Sequence, residues 1–410
     1  MFYNISANIY FLFVLIISMV GSDYYKTKEM LFARTIISIV VIFFFRLGIN
    51  KKLIYVLISW FLFFSICSIV SGNIEQGTLL KFTSMLLESY ALLHIFKHKF
   101  PDIYVKWISV LSLISLIGWF LSIINIELLT SILKPFNLSG GHIGDDPNGI
   151  YLHTIFYTLN YSTSHAWNLL LPRNAGFCWE PGGFSLLIVL AIYINLILRK
   201  ENIISWKNIL LLSTLITTFS TTGYLVLFGV LIYEYAAKKK NLTTIIILPL
   251  IIILFYNIFS RFEFLSEKVG FYTEIDPYLI PAEGGYTLAG SRIIGYSLVL
   301  QDLKRNLFLG KALRTTGYYS GYGDFNVWHL NSIYTITSTM GLVGLLLWLW
   351  FLVNSSKKLS KTYTHTPKYG LLVYIILASF GFNIHVFSII FTFATYGYFL
   401  SRNNNAIKSN

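Results

Sequence analysis

The chain has 410 residues, 55% of them hydrophobic, 17% aromatic and only 12% charged, with a mean hydropathy of +0.66 and a formal net charge of +13. That balance excludes a soluble protein and predicts an all-α integral membrane protein, a single polytopic helix bundle over 1–410. The excess of positive charge sits in short loops between apolar stretches, so it reads as a topology signal and excludes a nucleic-acid partner.

Apolar stretches predict about twelve transmembrane helices, near 5–21, 30–48, 53–71, 76–96, 104–125, 182–198, 208–222, 223–236, 243–259, 332–353, 369–384 and 386–400. No small-residue cleavage site follows the first, which reads as a retained helix. Lys51-Lys52, Lys97 with Lys99, Arg199-Lys200, Lys238-Lys239-Lys240, Lys357-Lys358 with Lys361 and Lys368, and Arg402 with Lys408 then fall on one side. By the positive-inside rule that side is the cytoplasm, with both termini there; the loop from Asp23 to Glu29, which carries Lys26 and Lys28, is the weak spot. The notable charges inside expected spans are Lys81 and Glu88, which share a helix face.

Two segments between spans are long, 134–180 and 260–331, and both are predicted on the outer, periplasmic or extracellular face. The cytoplasmic connections are short and hold no Gly-rich phosphate cradle, so no cofactor and no nucleotide domain is expected. No His or Cys spacing suggests a metal site. Asp145-x-Pro-Asn-Gly is too incomplete to be a calcium loop. Cys67 and Cys178 read as small packing residues in preference to a disulfide. In the first long segment Tyr151, Tyr157, Tyr161 and Trp167 stand among Asn, Ser and Thr, a mixture that suits either a glycan cradle or an interfacial aromatic belt.

That segment ends in Arg173-Asn174-Ala175-Gly176-Phe177-Cys178-Trp179-Glu180-Pro181-Gly182-Gly183, directly before an apolar run at 184–198. Charge at the lip of a membrane loses hydration, so Arg173 and Glu180 read either as functional groups or as a structural ion pair beside a Pro-Gly helix start. The second long segment carries Gly290-Ser291-Arg292, then an amphipathic surface helix at 293–309 with Asp302, Lys304 and Arg305 on its polar side. Gly310-Lys311, Arg314, a Gly/Tyr-rich turn and Trp328-His329-Leu330-Asn331-Ser332 follow. Arg suits a diphosphate because its fork donates paired hydrogen bonds and stays charged, and His suits proton abstraction from a hydroxyl near neutral pH. The bland alternatives are a snorkelling Arg292 and a helix-capping His329.

Taken together, the Arg173-x-x-Gly176 to Glu180-Pro181-Gly182 element, Gly290-Ser291-Arg292, and His329 to Ser332 leading into Gly341-Leu342-Val343-Gly344-Leu345 resemble the O-antigen polymerase (Wzy-type) and O-antigen ligase superfamily of bacterial membrane glycosyltransferases. Two positions depart from its pattern. Leu330 separates His329 from Asn331, and the Ser-Arg-Gly of an outer hairpin appears as Ser220-Thr221-Thr222-Gly223. The resemblance implies a metal-independent enzyme of the bacterial cytoplasmic membrane that moves a growing glycan from undecaprenyl diphosphate onto the next lipid-linked repeat unit. Arg173 and Arg292 would hold the diphosphate, and His329 or Glu180 would act as base. Arg314, Asn331, Trp179 and Trp328 would bind substrate. The implied partners are the undecaprenyl-diphosphate-linked oligosaccharide, membrane lipid and a chain-length regulator protein. Ligation of glycan to lipid A core, or translocation of the lipid-linked unit by a flippase, are the alternatives.

Overall fold

The computed structural model describes residues 2–17, 27–71, 76–138, 149–162, 171–238, 278–282, 285–289, 307–310, 318–319, 326–327, 332–363 and 366–400. Helices dominate them: α1 (Phe2–Ile17), α2 (Lys28–Phe44), α3 (Lys51–Ser71), α4 (Gln76–Phe96), α5 (Phe100–Ile124), the short α6 (Ile126–Leu133), α7 (Pro181–Ile192), α8 (Trp206–Thr217), α9 (Thr221–Lys238), α10 (Ser332–Thr362), α11 (Gly370–Gly381) and α12 (Ser388–Phe399). Local chemistry sets several boundaries. Thr27 accepts from the Met30 N–H at the start of α2, and Asn125 turns extended to end α5 while its side chain accepts from Leu128 N–H to open α6. Pro181 sits in the first turn of α7, where a missing N–H costs nothing.

Among the described residues, four stretches are long and apolar enough to cross a membrane: Lys51–Val70, Gln76–Ile124, Pro181–Leu198 and Thr339–Thr362. The second comprises α4 and α5, divided at Lys97, whose φ is +50°. Helices occupy the expected apolar stretches except 243–259, which lies outside the described residues. They are less uniform than expected, however. Helices α8, α11 and α12 have 12 residues each, about 18 Å at ~1.5 Å per residue and short of a ~30 Å hydrocarbon layer, whereas α7, also 12 residues, is carried on by a π-helical stretch over Tyr193–Leu198.

A second difference is in the helix from Ser332, which is broken at Gly341 (φ 63°, ψ −164°). The gap is filled by the turn at 307–310: Leu342 N–H donates to the Leu307 carbonyl at 3.0 Å and Val343 N–H to the Phe308 carbonyl at 3.2 Å, supplying the N-terminal donors of the second half-helix with acceptors. A side chain at Gly341 would strike the Phe308 backbone, so the close approach requires glycine. Cys67 Sγ lies 3.5 Å from the Leu309 carbonyl on the same turn. Both cysteines are buried and free.

A third difference is β structure in the long segments, where loops were expected. β1 (Gly149–His153), β2 (Thr158–Ser162) and β3 (Arg173–Asn174) form an antiparallel sheet in that order. β4 (Tyr278–Ala282), β5 (Gly285–Ala289), β6 (Tyr318–Tyr319) and β7 (Asn326–Val327) form a second sheet in the order β4-β5-β7-β6. β5 and β7 run parallel, so the second sheet ties the start of the late segment to its end. The rest of the amphipathic stretch expected at 293–309 lies outside the described residues.

At the centre stands α7, apolar all round and packed against α5, α8 and α9; 89% of its apolar window is buried, against 17% for α3 on the periphery. Inside the bundle Arg34 of α2 meets Glu88 of α4. Nε and Nη2 donate to the two carboxylate oxygens at 2.9 Å each, and Nη2 also donates to Ser388 Oγ of α12 at 2.7 Å. Glu88 therefore pairs across helices with a cation that the sequence reading passed over, although Arg34 stands within the expected second span. Many of the basic connections gather at one end. Lys52 Nζ donates to the Tyr398 carbonyl at 2.7 Å, and Arg199 lies 3.4 Å from Asp102 and 3.1 Å from Glu201.

Candidate functional site

The first sheet delivers Arg173 and Asn174 to the other end of the bundle. Register places Arg173 opposite Asn160 and Asn174 opposite Leu159. Asn174 is fully buried, donating through Nδ2 to Ser115 Oγ at 3.3 Å and to Thr217 Oγ1 at 2.9 Å, while its Oδ1 accepts from Gly176 N–H at 3.0 Å. Gly176 has φ +55°, and a Cβ there would come within 2.5 Å of the Phe184 ring. The Arg173-x-x-Gly176 spacing is thus a tight turn keyed by Asn174 and seated on α7.

Arg173 closes over the end of α8. Its Nε lies 3.4 Å from the Thr218 carbonyl and its Nη2 3.2 Å from the Phe219 carbonyl. Those are terminal carbonyls with no continuing helix to satisfy them, and a cation there also complements the helix dipole. Phe219 has φ +46°, a left-handed conformation disfavoured for a side chain of that size. So the guanidinium holds a strained turn as well as presenting charge. Next to it, Ser220 accepts from Gly223 N–H at 3.3 Å to cap α9, and lies 2.9 Å from Ser185 Oγ of α7. The Ser220-Thr221-Thr222-Gly223 variant is therefore a close-packing joint: a Cβ on Gly223 would fall 2.6 Å from Ser185.

Glu180 is the N-cap residue of α7, with extended backbone (φ −132°, ψ 145°) and a carboxylate that makes no capping bond to that helix. A negative charge is favourable at this helix start. Trp179 beside it is exposed, whereas Cys178 is fully buried and its thiol is pushed well above the ordinary range, as befits packing and not nucleophilic chemistry.

The connection between α11 and α12 completes this end. Gly182 and Gly183 approach the Phe382 ring so closely that added Cβ atoms would stand 3.5 and 3.4 Å from it. The Phe382 carbonyl accepts from both Ser332 N–H (3.2 Å) and Ser332 Oγ (3.1 Å), while His385 N–H donates to Ser332 Oγ at 3.0 Å. Thr335 Oγ1 lies 2.9 Å from Asn383 Oδ1. The start of α10 is thereby pinned beside the start of α7. His385 is only 3% exposed, and its Nδ1 has no hydrogen-bond partner among the described residues. Burial, with a smaller contribution from the charge of Lys81, pushes its imidazole down to about 3, so it is neutral at physiological pH.

Of the residues singled out from sequence, Arg173, Trp179 and Glu180 come to this one end. His329, Arg292, Arg314, Asn331 and Trp328 lie outside the described residues. Sequence reasoning missed Asn383 and His385, whose signal is a polar pair between two apolar stretches. Another buried histidine, His153 of β1, contacts Thr158 Oγ1 through Nδ1 and is pushed down to about 4 by burial. Among the described residues no group of three or more His, Cys, Asp or Glu could hold a metal ion. The arrangement brings together a guanidinium, a carboxylate at a helix start and a buried neutral imidazole, the last held too low, at about 3, to act as a base near neutral pH. No family model, no curated protein and no solved structure matches the chain.

Proposed function

We propose that this protein is a surface-polysaccharide polymerase of the bacterial cytoplasmic membrane. It transfers a growing glycan from its undecaprenyl diphosphate carrier to the next lipid-linked repeat unit on the outer face. The supporting observation is the meeting, at one end of the bundle, of the Arg173 turn, the Glu180-Pro181 helix start and the pinned start of α10, which directly follows His329-Leu330-Asn331 in sequence. In this reading Arg173 and Arg292 neutralise the diphosphate leaving group, His329 or Glu180 takes the acceptor hydroxyl proton, and about twelve membrane spans carry the site with both termini cytoplasmic. The glycosyl diphosphate is already activated, so the reaction asks for positioning, charge neutralisation and a proton acceptor, with no further energy source.

Purified protein supplied with lipid-diphosphate-linked repeat units alone should lengthen the glycan without nucleotide sugar, ATP or divalent metal, and should continue in excess chelator. Loss of lengthening on chelation, restored by magnesium or manganese, overturns the metal-free mechanism. The buried Arg34–Glu88 pair favours a second reading, a lipid-linked oligosaccharide flippase, because charges deep in a bundle often mark transport paths. Translocation of labelled lipid with no polymer under any condition would establish that reading instead.

A further inference from the structure

The short helix α6 divides into three faces at ~100° of rotation per residue. Glu127 and Ser131, with Lys134 just past its end, make a polar face that is exposed. On another face Leu129 and Leu133 are buried against Leu152, Tyr157 and Leu159 of the β1–β2 hairpin. Between the two, Leu128 and Ile132 are apolar and exposed, so the hairpin covers only half of the apolar side. The exposed row extends one turn each way, to Ile124 (78% exposed) and Phe136 (68% exposed).

Two observations say what covers this face. The first is its continuity with the outer wall of α5. Val110, Leu113, Ile117, Phe120 and Ile124 recur every three or four residues, are exposed, and belong to a stretch long and apolar enough to cross a membrane. Asn125 then turns the chain and caps α6, which has 8 residues, about 12 Å, and is too short to cross. One apolar row thus passes from a crossing helix onto a helix that cannot cross. The second observation is the turn between β1 and β2. Thr154 N–H donates to the Tyr157 carbonyl at 3.0 Å, which leaves Ile155 and Phe156 at the tip. Turn tips ordinarily hold Gly, Asn, Asp, Pro or Ser, whereas both of these are large, apolar and exposed. Tyr157 beside them lies across Gly118 of α5, where an added Cβ would fall 2.7 Å from its ring, so the tip stands next to the last two turns of that helix.

We infer that α6 and the tip of the β1–β2 hairpin form a foot lying in the bilayer surface at the end of the bundle that holds Arg173. Leu128, Ile132, Phe136, Ile155 and Phe156 enter the upper acyl chains, and Lys134 meets the lipid phosphates. The partner is bulk phospholipid, and the inference goes beyond the proposed reaction without depending on it. Its consequence is positional. β2 pairs Asn160 with Arg173 of β3, so the foot ties the sheet that delivers Arg173 to the membrane surface.

The test uses the full-length protein in phosphatidylcholine vesicles, with Phe156→Cys, Ile132→Cys or Ser131→Cys labelled by bimane. Cys67 and Cys178 are buried, and the parent protein taken through the same labelling supplies the background. Lipids carrying a nitroxide high on the acyl chain should quench the probe at positions 156 and 132 at least about threefold more than at 131, because an interfacial helix sits only ~5–10 Å deep. They should also quench more than lipids with the nitroxide at the chain end. Phe156→Glu should cut the quenching at position 132 by about half, since a charge at the tip resists insertion. Equal quenching at all three positions, or none at 132 and 156, would overturn the inference. Stronger quenching by the chain-end nitroxide would place α6 within the hydrocarbon and overturn it too. Efficient disulfide crosslinking between copies of unlabelled Ile132→Cys, with no quenching by lipid, would assign the face to a second copy of the chain instead.

Discussion

Replacing Arg34 with leucine should destabilise the bundle by about 3–5 kcal/mol, the cost of stranding one member of a buried ion pair. The guanidinium supplies both oxygens of Glu88 with donors at 2.9 Å and Ser388 Oγ with another at 2.7 Å. The Glu88 side chain is 0% exposed, so water cannot replace what is lost. Glu88→Leu should cost a similar amount by leaving the cation unpaired. The double variant Arg34→Leu/Glu88→Leu removes both charges and should fall within about 2 kcal/mol of the parent, because desolvating the pair opposes its attraction. The cycle should therefore show a coupling of at least about 3 kcal/mol. Reversible unfolding in mixed micelles, followed by tryptophan fluorescence, measures all four proteins. Additive single effects, or singles below about 1 kcal/mol, would refute the argument that this pair is dry and mutually dependent.

Arg173→Lys keeps the charge but cannot reach the Thr218 and Phe219 carbonyls with one planar fork, so glycan chain length should fall well below the parent's; full-length ladders on a gel would reduce Arg173 to a generic cation. Arg292→Ala and His329→Ala should each leave an inserted protein that yields only single repeats on the carrier, and normal ladders in both would sink the polymerase assignment. His153 is held neutral, pushed down to about 4 from an ordinary value near 6.5, so the unfolded sheet binds the proton more readily. Stability of β1–β2 should be fully present above pH ~6.5 and decline as pH falls toward about 4, by about 3 kcal/mol in all. Hydrogen exchange across that window should show the decline and His153→Gln should flatten it; equal slopes in both would exclude the histidine as its source. Gly176→Ala should cost about 1–2 kcal/mol from its φ of +55° alone, plus the clash with Phe184, and a thermal shift no larger than that of Gly77→Ala, where nothing lies within 4 Å, would contradict this.

What the sequence determined by itself was local in range. Apolar runs between polar loops fixed where helices lie, Pro181 fixed where α7 begins, and Thr27 and Asn125 fixed two more starts, because a helix is built from hydrogen bonds four residues apart and its ends from groups three apart. The Arg173-to-Glu180 element was legible for the same reason: charge, glycine and proline in one short stretch announce a turn at a helix entrance. Tertiary structure decided the partners. Sequence put Glu88 on a face with Lys81, but its carboxylate meets Arg34, 54 positions away, and the same guanidinium reaches Ser388, 354 positions away. Gly341 looked like one glycine in an apolar run; its break depends on the turn at 307–310 filling the gap. His385 is hidden between two apolar stretches until Ser332 binds its backbone and Phe82 and Phe391 wall it in. Such pairings are set by which helix faces pack together, a choice that hydrogen bonding along one helix does not constrain.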